Sequence, residues 1–427
     1  MQQRLSQVNQ ATGRPKEAEA LQREAVETLT RVQGERHPDT IAALANLASL
    51  YRHQSRFKEA EELNRKALEL RRATLGDSHP LTIASISDLA MTLASVDRHK
   101  EAEPLFVEAL ERTRQTMGPE APPTLDRMNN LAVEYWFEGR FDQAAALFEQ
   151  ALDITKRTQG EESDKAVFAM SNLATMKTRL GLLDEAQALT EKAVAIRTKR
   201  FGAEDEQTLN AMTDLGDIAY RRGRYEEAEK VYAPLLAARR KTPGPDDPAT
   251  LETWYSLAVT YKMLGQKQKA ESELGGLLER RRAVLGKTHA QTLETMQELA
   301  QLYVDDGRAN DARPLLTEAI SARRAAAGAA DASPADLNAC AALLLTAGVE
   351  DLRDPREALA LAQRANDATK ASDPDYLRTL ARAWYDTGNH ARAVESQRAA
   401  IAHLTEKAPE RADFEAELVK YRSGKGN

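Results

Sequence analysis

The sequence predicts an all-α solenoid of antiparallel helix pairs, and three observations predict it. An Ala, a Leu and a Gly each recur every 42 residues through most of the chain. Between them, apolar residues follow the i, i+3, i+4, i+7 spacing of helices with one buried face. Aromatic residues make up 5% and charged residues 29% of the 427, which suits long amphipathic helices better than sheets. A chain of this length exceeds one ordinary core, so it holds several domains or one repetitive array. The repetition decides for the array.

The Ala column is Ala18, Ala60, Ala102, Ala144, Ala186, Ala228, Ala270 and Ala312. The Leu column runs through Leu5, Leu47, Leu89, Leu131, Leu173, Leu215, Leu257 and Leu299. A Gly marks a further register from Gly34 and Gly76 to Gly286 and Gly328. Three columns in phase across eight units define residues 1–328 as eight helix–turn–helix repeats, the first truncated because Met1 falls inside its first helix. Beyond Gly328 the register changes. Ala358 and Ala393 mark two shorter, divergent repeats in residues 329–407, and residues 408–427 are expected to form a capping helix and tail, with Phe414, Leu418 and Tyr421 covering the final repeat.

Within a unit, Leu44, Leu47, Ala48 and Tyr51 form the buried stripe of the first helix. The counterparts of Ala48 are Ala90, Ala132, Ala174, Gly216, Ala258 and Ala300, small residues that let a facing helix approach closely. The first helix stops at Gly13, Gly139, Gly181, Gly223, Gly265 or Gly307, with Ser55 and Asp97 in the two remaining units. Gly closes a helix in the left-handed conformation without steric cost. The second helix then runs to the second Gly, and the following loop carries Pro38, Pro80, Pro122 or Pro248, tolerated in the first turn of the next helix.

The totals exclude several function classes. A formal net charge of −7 disfavours the basic stripe of a nucleic-acid coat. One cysteine, Cys340 in the apolar run Leu337–Leu345, forbids an internal disulfide or a Cys-based zinc site and reads as a small core residue. No segment approaches the 18 to 20 apolar residues that span a bilayer, by the usual rough measure, and the N-terminus lacks the apolar core of a signal peptide, so the chain reads as cytoplasmic with no membrane contact.

Catalytic signatures are missing. There is no Gly-x-Gly-x-x-Gly or Gly-Lys-Ser/Thr phosphate loop, no His-Arg-Asp or Asp-Phe-Gly, and no His-Glu-x-x-His. The loop histidines His37, His79 and His289 occupy one column in different repeats, so they cannot gather round one metal, and they read as structural. Asp305-Asp306-Gly307 is a turn. Glu-rich starts such as Glu59-Ala60-Glu61-Glu62 oppose the helix dipole and face solvent. No catalytic residue, cofactor or metal is expected.

The unit Leu75-Gly76-Asp77-Ser78-His79-Pro80-Leu81-Thr82, with Asn46-Leu47-Ala48-Ser49-Leu50-Tyr51, Glu59-Ala60-Glu61 and the Pro245-Asp246-Asp247-Pro248 loop, resembles the long tetratricopeptide repeat of kinesin light chains across residues 1–328. The resemblance implies a right-handed solenoid whose first helices line a concave groove. The heptad coiled coil by which kinesin light chains join their motor is absent, so a motor-cargo role is not implied. Three further stretches, Leu352 to Ala358, Asp375 to Ala381 and Gly388 to Ala393, resemble the C-terminal repeats of bacterial serine/threonine protein kinases. That resemblance implies, as an alternative, the regulatory repeat region of a kinase whose catalytic domain is outside this chain.

On each first helix the positions five and one before the repeating Leu, and two and six after it, share one face. The column just before the Leu reads Asn46, Asp88, Asn130, Asn172, Asp214, Ser256 and Glu298. Its asparagines resemble the ladder by which kinesin light chains grip a peptide backbone, and an amide offers a peptide group both donor and acceptor. The same column is also compatible with inheritance through repeat duplication and a bond to a neighbouring helix. Farther along stand Phe137, Arg179, Arg221 and Met263, with Phe168, Asn210, Asp217, Glu252, Glu294 and Asp305, flanked by Trp136 and Tyr255. The middle reads as basic and apolar and the C-terminal end as acidic. The expectation is a non-catalytic scaffold that binds an extended peptide or protein segment, with a guest acidic or aromatic near its middle and with self-association through terminal repeats as a further possibility. The column two after the Leu carries no Asn, so a carboxylate clamp is not supported.

Overall fold

The computed structural model describes residues 15–404 and 410–423. The helix expected from Met1, with Leu5 and Gly13, lies outside them. The described residues form twenty α-helices and one short 3-10 turn, with no strand among them. They divide into two compact units, Met1–Met176 and Lys177–Asn427.

The first unit holds α1 (Pro15–Gln33), α2 (Pro38–His53), α3 (Phe57–Leu75), α4 (Pro80–Ala94), α5 (His99–Met117), α6 (Pro122–Phe137), α7 (Phe141–Gln159) and most of α8 (Asp164–Arg179). The second holds α9 (Leu183–Phe201), α10 (Glu206–Arg221), α11 (Tyr225–Lys241), α12 (Pro248–Met263), α13 (Lys267–Val284), α14 (Ala290–Asp305), α15 (Ala309–Ala327), α16 (Pro334–Thr346), the 3-10 turn Glu350–Leu352, α17 (Pro355–Ala368), α18 (Pro374–Asp386), α19 (His390–Ala402) and α20 (Arg411–Ser423). Even-numbered helices are the first of each pair and odd-numbered helices the second. This is the all-α solenoid of helix pairs that the periodicity predicts.

The columns of the sequence are the layers of the core. All eight members of the Ala column are fully buried, and Leu47, Leu89, Leu131, Leu173, Leu257 and Leu299 are buried against them. In the first unit, Leu68, Ile86, Leu93, Phe106 and Met128 pack into one cluster across α3 to α6. In the second, a single cluster runs from Leu274 and Met296 through Leu316 to Cys340 and Leu344, passing the register change at Gly328 without a break. Phe414 and Tyr421 of α20 are buried against Leu377, Ile401 and Tyr385, and Gln397 Nε2 donates to the Phe414 carbonyl at 2.9 Å.

Helix starts and stops follow from local chemistry. Each loop histidine is an N-cap: the Nδ1 of His37, His79 and His289 accepts from the backbone N–H two residues on, at 3.2, 3.2 and 3.3 Å. Asp205 and Asp247 do the same in their repeats. Ser55 and Asp97 keep the left-handed turn, with φ of 59° and 57°, where the other repeats supply Gly. Gly328 departs from its column. Its φ is −85°, whereas Gly286 and the earlier members lie at positive φ. Here α15 leads into a different loop that ends on the Ser333–Asp336 capping box.

Candidate functional site

The first-helix face consists of four rows: five before, one before, two after and six after the repeating Leu. Every residue in these rows on α2, α4, α6, α8, α10, α12 and α14 reaches solvent, fully or in part. The Leu column alongside packs inward, so the outward face is a consequence of the same helical period that builds the core.

In the first unit, α2 and α4 touch directly. Asn46 is exposed, while Asp88, Asn130 and Asn172 are half-buried. The Asn172 amide donates to Asn129 Oδ1 on α6 at 3.4 Å. Burial raises the Asp88 carboxyl above its ordinary range, against the pull of Arg127, Arg71 and Arg52. Phe137 is 64% exposed, stacked on His99 at 6.2 Å and tilted against Trp136 at 5.2 Å. Beneath it, His99 Nδ1 lies 2.9 Å from Glu134 Oε1, whose buried carboxyl is pushed up by desolvation and pulled back by the histidine.

In the second unit, α10 touches α12 and α12 touches α14. Asp214 and Arg221 are exposed, Ser256 and Glu298 half-buried, and Met263 is 44% exposed. Arg179, on the last turn of α8, is exposed and, like Arg221, forms no ion pair. Glu298 binds Lys262 Nζ at 2.6 Å, and Asp217 accepts from the Tyr232 hydroxyl. Crowding by protein raises the Asp214 carboxyl to about 6, with Asp217 adding to the shift, and raises Asp217 and Glu294 as well, desolvation being the main cause in each. The candidate residues therefore share a face within each unit, one helix spacing apart, rather than converging on a point.

Beneath this face run buried arginines of the second helices, which the sequence reading does not single out. Arg71, Arg239 and Arg281 occupy one 42-residue column. Each donates to a carbonyl ten residues on and a hydroxyl fourteen residues on, both in the next first helix: Leu81 and Ser85, Ala249 and Thr253, Gln291 and Thr295. Arg239 and Arg281 also reach the first row of their own repeat, binding Asn210 Oδ1 at 2.8 Å and Glu252 Oε2 at 3.0 Å. The available signal is the arginine column in phase with Ser or Thr fourteen positions later.

Cys340 is buried, and desolvation pushes its thiol up to about 11. Such a thiol carries little of the nucleophilic thiolate at neutral pH. Among the described residues no group of three His, Cys, Asp or Glu is placed to hold a metal ion, and no helix is long and apolar enough to cross a membrane.

Family models of the tetratricopeptide repeat match residues 1–73, 42–103, 81–157, 166–233 and 215–275, and a second model of that repeat matches 292–335, together more than half of the chain. Among solved structures, the apo form of the quorum sensor NprR from B. thuringiensis is 14% identical over 75% of this chain and 86% of its own, with a TM-score of 0.54. A kinesin light chain from Podosopora anserina with nearly identical TPR-like repeats is 27% identical over 48% of this chain and 97% of its own, with a TM-score of 0.45. BtubC (BKLC) from P. vanneervenii is 22% identical over 63% and 91%, with a TM-score of 0.40. No curated protein matches the chain significantly.

Proposed function

The chain belongs to the tetratricopeptide-repeat family, and from that premise we propose that it is a non-catalytic scaffold that holds an extended peptide or protein segment along the first-helix face. The observation that carries this reading is the continuity of the four solvent-reaching rows over a packed Leu column on α2 to α14. Asn46 and Asn130 present amides with no side-chain hydrogen bond on that face, which suits recognition of a peptide backbone. Polar groups spread one per helix fit a long guest better than a reacting centre, whose groups must converge within hydrogen-bond reach. The kinase-regulatory alternative rests on residues 352–393, beyond the spans the family matches, and requires a catalytic domain elsewhere.

The test is photo-cross-linking in the native lysate. A photoreactive residue is placed at Asn130 or Ser256 on the face, or at Glu62 or Glu111 on exposed second-helix positions. A partner captured from the first pair and missed by the second supports the reading. Capture only from Glu62 and Glu111, or unchanged binding by the Arg179→Glu, Arg221→Glu double variant together with that pattern, refutes it.

A further inference from the structure

We infer that the first-helix face of the second unit accepts a cationic segment: an extended chain with two Lys or Arg side chains three to six residues apart. The inference rests on the groove reading and adds the chemistry of the guest.

The face of α10, α12 and α14 carries six carboxylates, Asp214, Asp217, Glu252, Glu294, Glu298 and Asp305, against one cation, Arg221. In the first unit the same rows hold only Asp88 and Asp126. Number alone would say little, since acidic surface residues are commonly solvated. What distinguishes this face is how the counter-charges are shared. Arg281 is fully buried and serves two carboxylates at once, Glu252 at 3.0 Å and Glu294 at 3.6 Å. Arg239, also buried, spends its free nitrogen on the neutral Asn210 and lies near both Asp214 and Asp217 without bonding either. Of these two aspartates, Asp217 is held by a tyrosine and Asp214 by nothing. Glu298 alone has a cation to itself, Lys262.

Two places on the face are thus each one positive charge short: the Asp214–Asp217 pair on α10, and the Glu252–Glu294 pair spanning α12 and α14. Raised carboxyl affinities at Asp214, Asp217 and Glu294 are what under-compensated, crowded carboxylates should show. A guest cation supplies the missing charge at each. Packed helices lie roughly 8–10 Å apart, so the two places are separated by one to two helix spacings. An extended chain rising about 3.3 Å per residue covers that distance in three to six residues. Between them lie Val259, half-buried, and Met263, exposed, which suit an apolar side chain between the two cations. The Arg221 cation stands in the fourth row, at the far end of α10 from Asn210, and leaves the acidic rows open.

The experiment titrates the purified full chain with three labelled ten-residue peptides. One has two lysines five positions apart with a leucine between, one has glutamates in place of the lysines, and one has glutamines. The expected result is that the lysine peptide binds at least tenfold more tightly than the glutamine peptide, about the effect of one well-placed charge contact. The glutamate peptide binds more weakly than either. The advantage shrinks as salt rises from about 0.05 to 0.3 M. Asp214→Asn with Glu294→Gln, near-isosteric changes checked by circular dichroism, abolishes it, and Asp126→Asn in the first unit does not. Equal affinity for the three peptides, or a lysine advantage that survives the double variant, overturns the inference. If equal affinities come with cross-links at Ser256, the groove reading survives; if cross-links fall only on the second helices, both fail.

Discussion

Gly216 stands where the other repeats place Ala48, Ala90, Ala132, Ala174, Ala258 and Ala300. A Cβ at Gly216 would sit 2.5 to 2.9 Å from the ring of Tyr232, inside van der Waals contact. That ring cannot swing away, because Tyr232 is 1% exposed and its hydroxyl is tied to Asp217. Gly216→Ala therefore adds overpacking of about 1–3 kcal/mol, while the better helix propensity of Ala returns about 1 kcal/mol. The net expectation is a destabilisation of up to about 2 kcal/mol. In the repeats after it, the facing position is Leu274 opposite Ala258 and Leu316 opposite Ala300. With Tyr232→Leu in place the clash is gone, and the same Ala should now stabilise by about 1 kcal/mol. The sign of one substitution thus reverses with its neighbour, a coupling of about 1–3 kcal/mol. Urea unfolding by circular dichroism measures the four corners of the cycle. Amide exchange in α10 and α11 supplies a local readout, since a repeat array need not unfold as one body. A coupling below about 0.5 kcal/mol, or an Ala that destabilises equally in both backgrounds, refutes the packing account.

Ser55→Gly and Asp97→Gly should each stabilise by roughly 0.5–1 kcal/mol, because φ of 59° and 57° costs a side chain what it does not cost Gly; a loss of midpoint in urea would contradict this. Arg281→Ala should cost about 3–5 kcal/mol, since it strands Thr295, Glu252 and the Gln291 carbonyl around a buried void, and thermal unfolding reads it. Asp214 binds its proton more tightly folded than unfolded, about 6 against 3.8. The folded state therefore holds more protons between those values, and this group's contribution to stability is lost as pH rises from about 4 to 6. Asp214→Asn should remove that part of the slope in a pH series of unfolding midpoints, and an unchanged slope would show that Asp214 titrates normally.

The helix pairs were legible because each repeat is an independent copy of the same message. Position-by-position alignment placed Ser55 and Asp97 in a Gly column, and both adopt the left-handed turn. It marked His37, His79 and His289 as structural, and they cap helices, although their specific bond to the following N–H needed the loop geometry. It did not anticipate that Gly328 leaves its column, because identity at one position says nothing of φ when the following loop changes. The first-helix face was legible from period alone, whereas its electrostatics was not. A charged residue in a helix pattern is read as solvated, yet Arg239 and Arg281 run inward beneath the face and Glu134 pairs with His99 inside the core. The last pair stands in columns that elsewhere read Phe57 with Thr92 and Phe141 with Met176. Such a break in an apolar column is a signal that a reader of the sequence could have used.

The inward arginines also set the grain along which this array can come apart. Arg239 joins three helices: its own α11, the α10 that precedes it and the α12 that follows. Peeling off a helix pair at the boundary the period suggests would tear a guanidinium from its hydroxyl and carbonyl in the next pair. Frayed ends should therefore recede in overlapping triplets, and an internal excision should be tolerated only when it removes a whole period, so that each surviving arginine inherits an equivalent Ser or Thr. Shortened versions of this protein cut at half-period points would leave a severed clasp at the cut, however intact their remaining helices.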